Sequence, residues 1–230
     1  MAMNMEKHLQ DSNFFERLVN KYPGHDPRYE RKFRFPVGQA VSIENLLTVH
    51  SFQPVFKPRS VASIYFDTLN YDFAIDNIEG VPVRVKPRLR NYPDDAANGC
   101  TLEYKCKKGF LGYKFSRKPF LNSLEQSASQ IHMDIGVEVL PTIQVSYERK
   151  YFVNPLGIRA TIDTNIYASS KEAFINLSTF LDFEVLELKY PIGLDQYVRQ
   201  ILYGSMSKFA PTRLNKSSKY IEGLLRLRLI

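Results

Sequence analysis

Hydrophobic and polar residues alternate with a period of two along much of the chain after residue 60, the spacing of extended strands rather than helices. Residues 83 to 90, VRVKPRLR, place Arg84, Lys86, Arg88 and Arg90 on one face and Val83, Val85, Pro87 and Leu89 on the other. SVASIYFDT, TLEYKCKKG, YKFSRKPF, IQVSYERKYFV, IRATIDTNI and FEVLELKY are of similar length and are separated by turn-forming residues; with RYERKFRF (28 to 35) before them they make eight predicted strands. Helical spacing lies elsewhere. Phe14, Phe15, Leu18 and Val19 predict a short N-terminal helix closed by the breaker YPGHDP, and SIENLLTVHSF a second helix capped by Ser42. PFLNSLEQSASQIHM and KEAFINLSTFLD read as connecting helices, LDQYVRQILYGSM and SSKYIEGLLRLRL as two more near the C-terminus. The final GLLRLRLI suits a short helix packed on the sheet and a partner-facing surface equally. Gly109-Phe110-Leu111-Gly112 has the look of the short loop in an RNA-binding KH module, but between two strands it is expected to be a hairpin turn. With no repeat, linker or low-complexity stretch, the expected division is an N-terminal helix and turn over 1–27 and a single domain over 28–230.

The polar faces set this alternation apart. TLEYKCKK sets Glu103, Lys105 and Lys107 against Leu102, Tyr104 and Cys106, and IRATID sets Arg159, Thr161 and Asp163 against Ile158, Ala160 and Ile162. FEVLELKY sets Val185, Glu187 and Lys189 against Leu186, Leu188 and Tyr190; the first strand sets Arg28, Glu30, Lys32 and Arg34 against Tyr29, Arg31, Phe33 and Phe35. A sheet with one wet face also alternates, but usually mixes both signs of charge with Ser, Thr and Gln. Here cations dominate. Neighbours on one strand face are about 7 Å apart and repel by about 2 kcal/mol per adjacent pair at an effective dielectric near 20. Such a face needs a compensating anion or full solvation. The set predicts a mainly-β α+β fold: a closed barrel with a wide charged interior and an outside covered by helices.

Converging Arg and Lys would bind a chain of phosphates, Arg through forked hydrogen bonds and Lys as point charges. Glu187, with Glu30, Glu103 and Asp163 as lesser candidates, has the oxygen chemistry for Mg²⁺ or Mn²⁺. Pairing with neighbouring Arg and Lys is the better account of Glu30, Glu103 and Asp163, and for Glu187 both roles stay open. Lys and Arg exceed Asp and Glu by 31 to 24, a net +7 that agrees with an anionic partner without choosing among nucleic acid, phosphate metabolites and anionic lipid. Cys100 and Cys106 lack zinc-site spacing and are expected as reduced thiols, and His8, His25, His50 and His132 form no metal motif. MAMNMEKHLQ has no secretory core and no apolar run approaches a membrane span, so the expected location is the cytoplasm. There is no GxxxxGK[ST] or GxGxxG loop, and no Ser or Cys nucleophile has a plausible His partner. Phosphoryl transfer needs none of these, because positioning and charge neutralisation supply most of its catalysis.

The succession RYERKF, SIYFDT, RLRNY, LEYKCK, YERKYF, IRATIDT, VLELKY and KSSKYIEG, over residues 28–223, resembles the vacuolar transporter chaperone (VTC) domain. That is the polyphosphate polymerase branch of the CYTH-like triphosphate tunnel metalloenzymes. The resemblance implies an eight-stranded antiparallel tunnel that binds ATP and polyphosphate and moves the γ-phosphoryl group onto a growing chain, with Mn²⁺ or Mg²⁺. It makes Lys32, Arg88, Arg90, Lys105, Lys114 or Lys118, Arg149, Arg159 and Lys219 phosphate ligands and Glu187 the metal ligand. Parity adds Arg84, Lys86 and Lys189 to the phosphate face, and Arg88, Arg90, Lys105 and Glu187 are expected to act on the transferring group. The wider superfamily's triphosphatases open with Glu-x-Glu-x-Lys, where this chain has Arg28-x-Glu30-x-Lys32. That departure disfavours a two-metal hydrolase of inorganic or nucleoside triphosphates. The third reading, a non-catalytic module for polyphosphate or single-stranded nucleic acid, is disfavoured by carboxylates among the cations, and no specific nucleic acid is expected. The phosphate-sensing domain and membrane helices of eukaryotic assemblies are not in this sequence; a stand-alone enzyme and one docked to a separate membrane protein at the inner face of a membrane are both compatible with it.

Overall fold

The computed structural model describes residues 14–22, 29–94, 99–109, 111–118, 123–172, 175–199 and 218–230, and the backbone alone at 212–213. Ten strands form one sheet: β1 (Tyr29–Pro36), β2 (Gln53–Asp67), β3 (Val83–Asn91), β4 (Thr101–Lys108), β5 (Leu111–Arg117), β6 (Leu140–Val153), β7 (Arg159–Ser170), β8 (Ser178–Leu181), β9 (Phe183–Tyr190) and β10 (Thr212–Arg213). Their order is β10-β1-β9-β7-β6-β2-β3-β4-β5 with β8 on β7, and the pairings are antiparallel. The sheet curls into a barrel-like tunnel, with two short strands beyond the expected eight. The expected closure needs correcting: among the described residues no ladder joins β5 to β1, and the ion pair Lys105–Glu30 at 2.8 Å bridges β4 and β1 instead.

Helix α1 (14–21) is followed by α2 (Ala40–Val49), α3 (Asp72–Glu79), α4 (Leu124–Ile135) and α5 (Lys219–Leu227). Ser42 does not cap α2. That helix starts at Ala40 behind Gln39, with no side-chain cap bond, once Pro36 has ended β1 and Gly38 has turned the chain at φ +92. The helix expected over 171–182 is a second correction. Ser178–Leu181 forms β8 on β7, where Leu181 is buried, so an open sheet edge and a buried apolar position overrode the helical spacing. Helix α3 is started by polar side chains just before it: the Asp67 carboxylate accepts the N–H groups of Thr68, Phe73 and Ala74 at 2.8 to 2.9 Å, and the Thr68 hydroxyl accepts the Asp72 N–H at 3.0 Å. The helix expected over 194–206 shows a turn of helix at Asp195–Tyr197, and its remainder falls outside the described residues after 199.

Three apolar clusters explain the shape, and only two lie where the alternation placed them. On the outer face, Phe33, Phe35, Ile162, Leu186 and Leu188 pack with Ile43 and Leu47 of α2. Phe66, Val85, Leu89, Leu102, Tyr104 and Cys106 pack with Phe14, Phe15 and Leu18 of α1 and Ile131 and Ile135 of α4. The buried Asp134 pins that second cluster by accepting from Tyr104, from Tyr22 at 3.0 Å and from Lys21 at 2.5 Å. The third cluster lies on the inner face. Val61, Ile143, Val145, Ile166, Ala168, Phe183 and Val185 meet Tyr220, Ile221, Leu224 and Leu227 of α5. Ile143 and Val145 share the parity of Arg149, so α5 enters one end of the tube, and the outer helices cover only part of the apolar surface. The C-terminal GLLRLRLI therefore packs one side as a plug through Gly223, Leu224 and Leu227, while Leu225, Arg226, Arg228 and Ile230 are exposed.

Candidate phosphate tunnel

Where α5 stops, the inner face turns from carbon to charge. A cavity of about 760 Å³ is lined by Lys32 of β1, Lys86, Arg88 and Arg90 of β3, Lys105 of β4, Lys114 of β5, Arg149 of β6, Arg159 of β7, Lys189 of β9 and Lys219 at the start of α5, with Glu30 and Glu187 among them. Two expected phosphate residues stand apart. Lys118 follows the end of β5 and is exposed, outside the cavity wall, so Lys114 is the β5 lysine that faces inward. Arg84 shares the parity of its row but sits near the strand start, where it donates to the Val81 carbonyl at 2.6 Å and does not line the cavity.

The cations are held in place by buried carboxylates. Glu103 accepts from the Arg88 guanidinium at 2.6 and 2.8 Å, with Arg90 at 3.6 Å and Lys114 at 3.4 Å. Arg90 also donates to the Tyr147 hydroxyl at 3.0 Å and to Ser63 at 3.2 Å. Asp163 takes a two-pronged bond from Arg149 at 2.6 and 2.7 Å and the Lys219 ammonium at 2.5 Å. Such forks fix the planes of Arg88 and Arg149. Burial alone would raise the Asp163 carboxyl, but Arg149 and Lys219 outweigh it and hold it at about 2. At the centre, Lys105 lies 2.8 Å from Glu30 and 3.6 Å from Glu187, and Glu187 has Lys189 at 3.7 Å and Arg149 at 3.8 Å. Burial opposes ionisation of Glu30, yet Lys105 and Lys189 hold it at about 2; Glu187 is likewise drawn well below the usual carboxylate range by Lys189, Lys105 and Lys32. Both are anions at neutral pH.

One atom in this centre is conspicuous. Glu187 Oε1 is buried and accepts no hydrogen bond, and the hydroxyl of Thr161, its partner in the β7–β9 ladder, is also buried without one. Among the described residues no three His, Cys, Asp or Glu side chains converge. A hard divalent ion would therefore take Glu187, with Glu30 beside it, and fill its remaining positions from phosphate oxygens and water, which is how Mg²⁺ commonly binds. The donor set fits that group.

The family model of the VTC domain matches residues 28–118 and 114–228. The chain belongs to the VTC domain family. A putative adenylate cyclase from Vibrio parahaemolyticus superposes on this VTC domain with a TM-score of 0.53 at 12% identity, over 85% of this chain and 98% of that one. A putative adenylyl cyclase from Hippeastrum, described as having a dominant triphosphatase activity, gives 0.47 at 16% identity over 86% and 95%. The first of these shows that the VTC domain has the CYTH-like tunnel fold. No curated protein matches it in sequence. No helix among the described residues is long and apolar enough to cross a membrane.

Several wall residues of the VTC domain escaped the sequence reading. Tyr65, Tyr147, Tyr151, Tyr92 and Phe56 all line the cavity, beside Thr161, which the alternation places on that face. Tyr147 and Tyr151 share the parity of Arg149, so extending the alternation along IQVSYERKYFV would have found them. Phe56 had no such signal, because the β2–β6 register shifts on both sides of it.

Proposed function

We propose that this VTC domain is a metal-dependent polyphosphate polymerase. One observation carries the reading: ten cationic side chains from seven strands and one helix converge on one cavity beside two ionised carboxylates. A terminal oxygen of the acceptor chain attacks the γ-phosphorus of ATP, the bond from that phosphorus to the β-bridging oxygen breaks, and ADP leaves with the electron pair. Arg88 and Arg149, oriented by Glu103 and Asp163, with Lys32, Lys105 and Lys219, bind the phosphates in line and draw off the charge that builds on the transferring group. Glu187, with Glu30 beside it, would hold a bound Mn²⁺ or Mg²⁺, which would supply further neutralisation of phosphate charge. Arg28 in place of a first-strand carboxylate supports transfer over two-metal hydrolysis. The family and the fold also support an enzyme of the triphosphate tunnel type.

The test is incubation with ATP and Mn²⁺, a polyphosphate-stained gel and a parallel assay of free phosphate. Long chains are expected from the wild type, and none from Glu187→Gln. Phosphate without chains would reassign the domain to hydrolysis, and bound triphosphate without either product would leave a binding module. Unchanged synthesis by Glu187→Gln would remove the ligand role.

A further inference from the structure

The wall of the cavity changes character on its far side from α5. Val55 and Phe56 near the start of β2 and Tyr151 near the end of β6 line it there with carbon, and Arg159 lines the same cavity. Phe56 is 54% exposed and Val55 45%. Phe56 and Tyr151 are partners in the β2–β6 ladder, with ring centroids 5.7 Å apart and planes at 88°. Register shifts flank Phe56 on both sides, the kind of irregularity that re-aims a side chain. The Arg59 guanidinium lies 5.0 Å over the Phe56 ring. A folded chain gains by burying such rings, so an exposed cluster continuous with a binding cavity marks a place that a ligand covers.

What adjoins the cluster identifies the ligand. Tyr151 pairs with Thr161, and Thr161 pairs with Glu187, so two strand spacings, about 10 Å, separate the Tyr151 backbone from that of Glu187, and Phe56 stands one strand further out. The fitting molecule is flat and apolar at one end and anionic at the other. Inorganic triphosphate and polyphosphate have nothing to offer the rings, whereas a nucleoside triphosphate does. We propose that Phe56 and Tyr151 form a base subsite, the nucleobase of the triphosphate donor stacking on one ring and meeting the other edge to face while its phosphates enter the cationic cavity. This rests on the reading of that cavity as a triphosphate site. It also fixes an orientation, with the base at the aromatic mouth and the γ-phosphoryl group toward Glu187, Lys32 and Lys105. Because every base has a π face, the subsite selects nucleotides as a class over inorganic phosphates without choosing one base strictly.

The experiment compares ATP and inorganic triphosphate as ligands of the wild type and of Phe56→Ala and Tyr151→Ala, by calorimetry without turnover. Each variant is expected to weaken ATP about tenfold, the loss of a base–aromatic stack, and to leave inorganic triphosphate within about twofold. Equal losses for both ligands, or none, would overturn the base subsite. The wild type supplies an independent reading, since stacking should lower the adenine absorbance on binding, and an unchanged spectrum would also overturn it. A wild type that binds inorganic triphosphate but handles both ligands identically in every variant refutes the subsite alone. One that binds neither ligand refutes the tunnel reading and the subsite with it.

Discussion

Lys32 is a residue whose charge is costly to keep. Burial strips its hydration and Lys105 repels it, and against Glu187 and Glu30 these bring its pKa down to about 7. Lys86 is pushed well below the ordinary lysine range, first by burial and then by Lys32 and Lys105. Between about pH 7 and the usual lysine value near 10.4 the unfolded chain therefore binds more protons than the folded one. The sign follows: the penalty from charged Lys32 is fully present below about pH 7 and is relieved as pH rises through that window. Bound phosphates favour the ammonium and reverse the shift. Binding of inorganic triphosphate at about pH 8.5 should accordingly take up protons, seen as different calorimetric heats in buffers of different ionisation enthalpy, and Lys32→Met should reduce the uptake. Identical heats in every buffer would count against a buried phosphate site at Lys32.

At the scale of elements, α5 is the part that ties stability to the site. Tyr220 stacks on Tyr65 with centroids 4.7 Å apart and donates to Asp67 at 2.6 Å, while Lys219, the preceding residue, reaches Asp163. Gly223 lets this helix sit close, since a Cβ there would lie 2.8 Å from Ile143 Cδ1 and 2.9 Å from the Ala168 Cβ. Gly223→Ala is expected to cost about 1–3 kcal/mol by overpacking. In a chain of this size that lowers Tm by about 2–4 °C per kcal/mol, and withdrawal of Lys219 should weaken triphosphate binding in the folded variant. An unchanged Tm would mean that α5 does not fill the tube as tightly as described. Much of this was legible in advance, and the rest was not for identifiable reasons. Strand parity depends only on a two-residue period, so Arg88, Lys105, Glu187 and Lys189 fell on the inner face as expected. Ile143 and Val145 obey the same parity, yet nothing within β6 marks that a helix from the other end of the chain covers them. β8 depends on a distant partner, β7, which local spacing does not encode, and α3 on the nearby Asp67 and Thr68 side chains, which hydrophobic spacing does not register.

For the molecule as a whole, a net +7 concentrated around an internal cavity means that folding and anion binding are linked. Inorganic triphosphate at a hundred times its Kd should stabilise the fold by about 2.7 kcal/mol. That is a rise in Tm of about 5–10 °C, shrinking as salt screens the lumen. A Tm indifferent to triphosphate at low salt would sink the link. The margin between β5 and β1, where no ladder joins the two among the described residues, matters at this scale too. A tube hydrogen-bonded all the way round has a fixed girth, and a long polymer inside it can leave only by being pulled out end first. Among the described residues that side is held by the Lys105–Glu30 ion pair and by the short β10 on β1 rather than by a β5–β1 ladder, so the circumference can widen there without breaking a β5–β1 pairing. For the proposed polymerase this would let a long product leave sideways, and release is then expected not to slow with chain length.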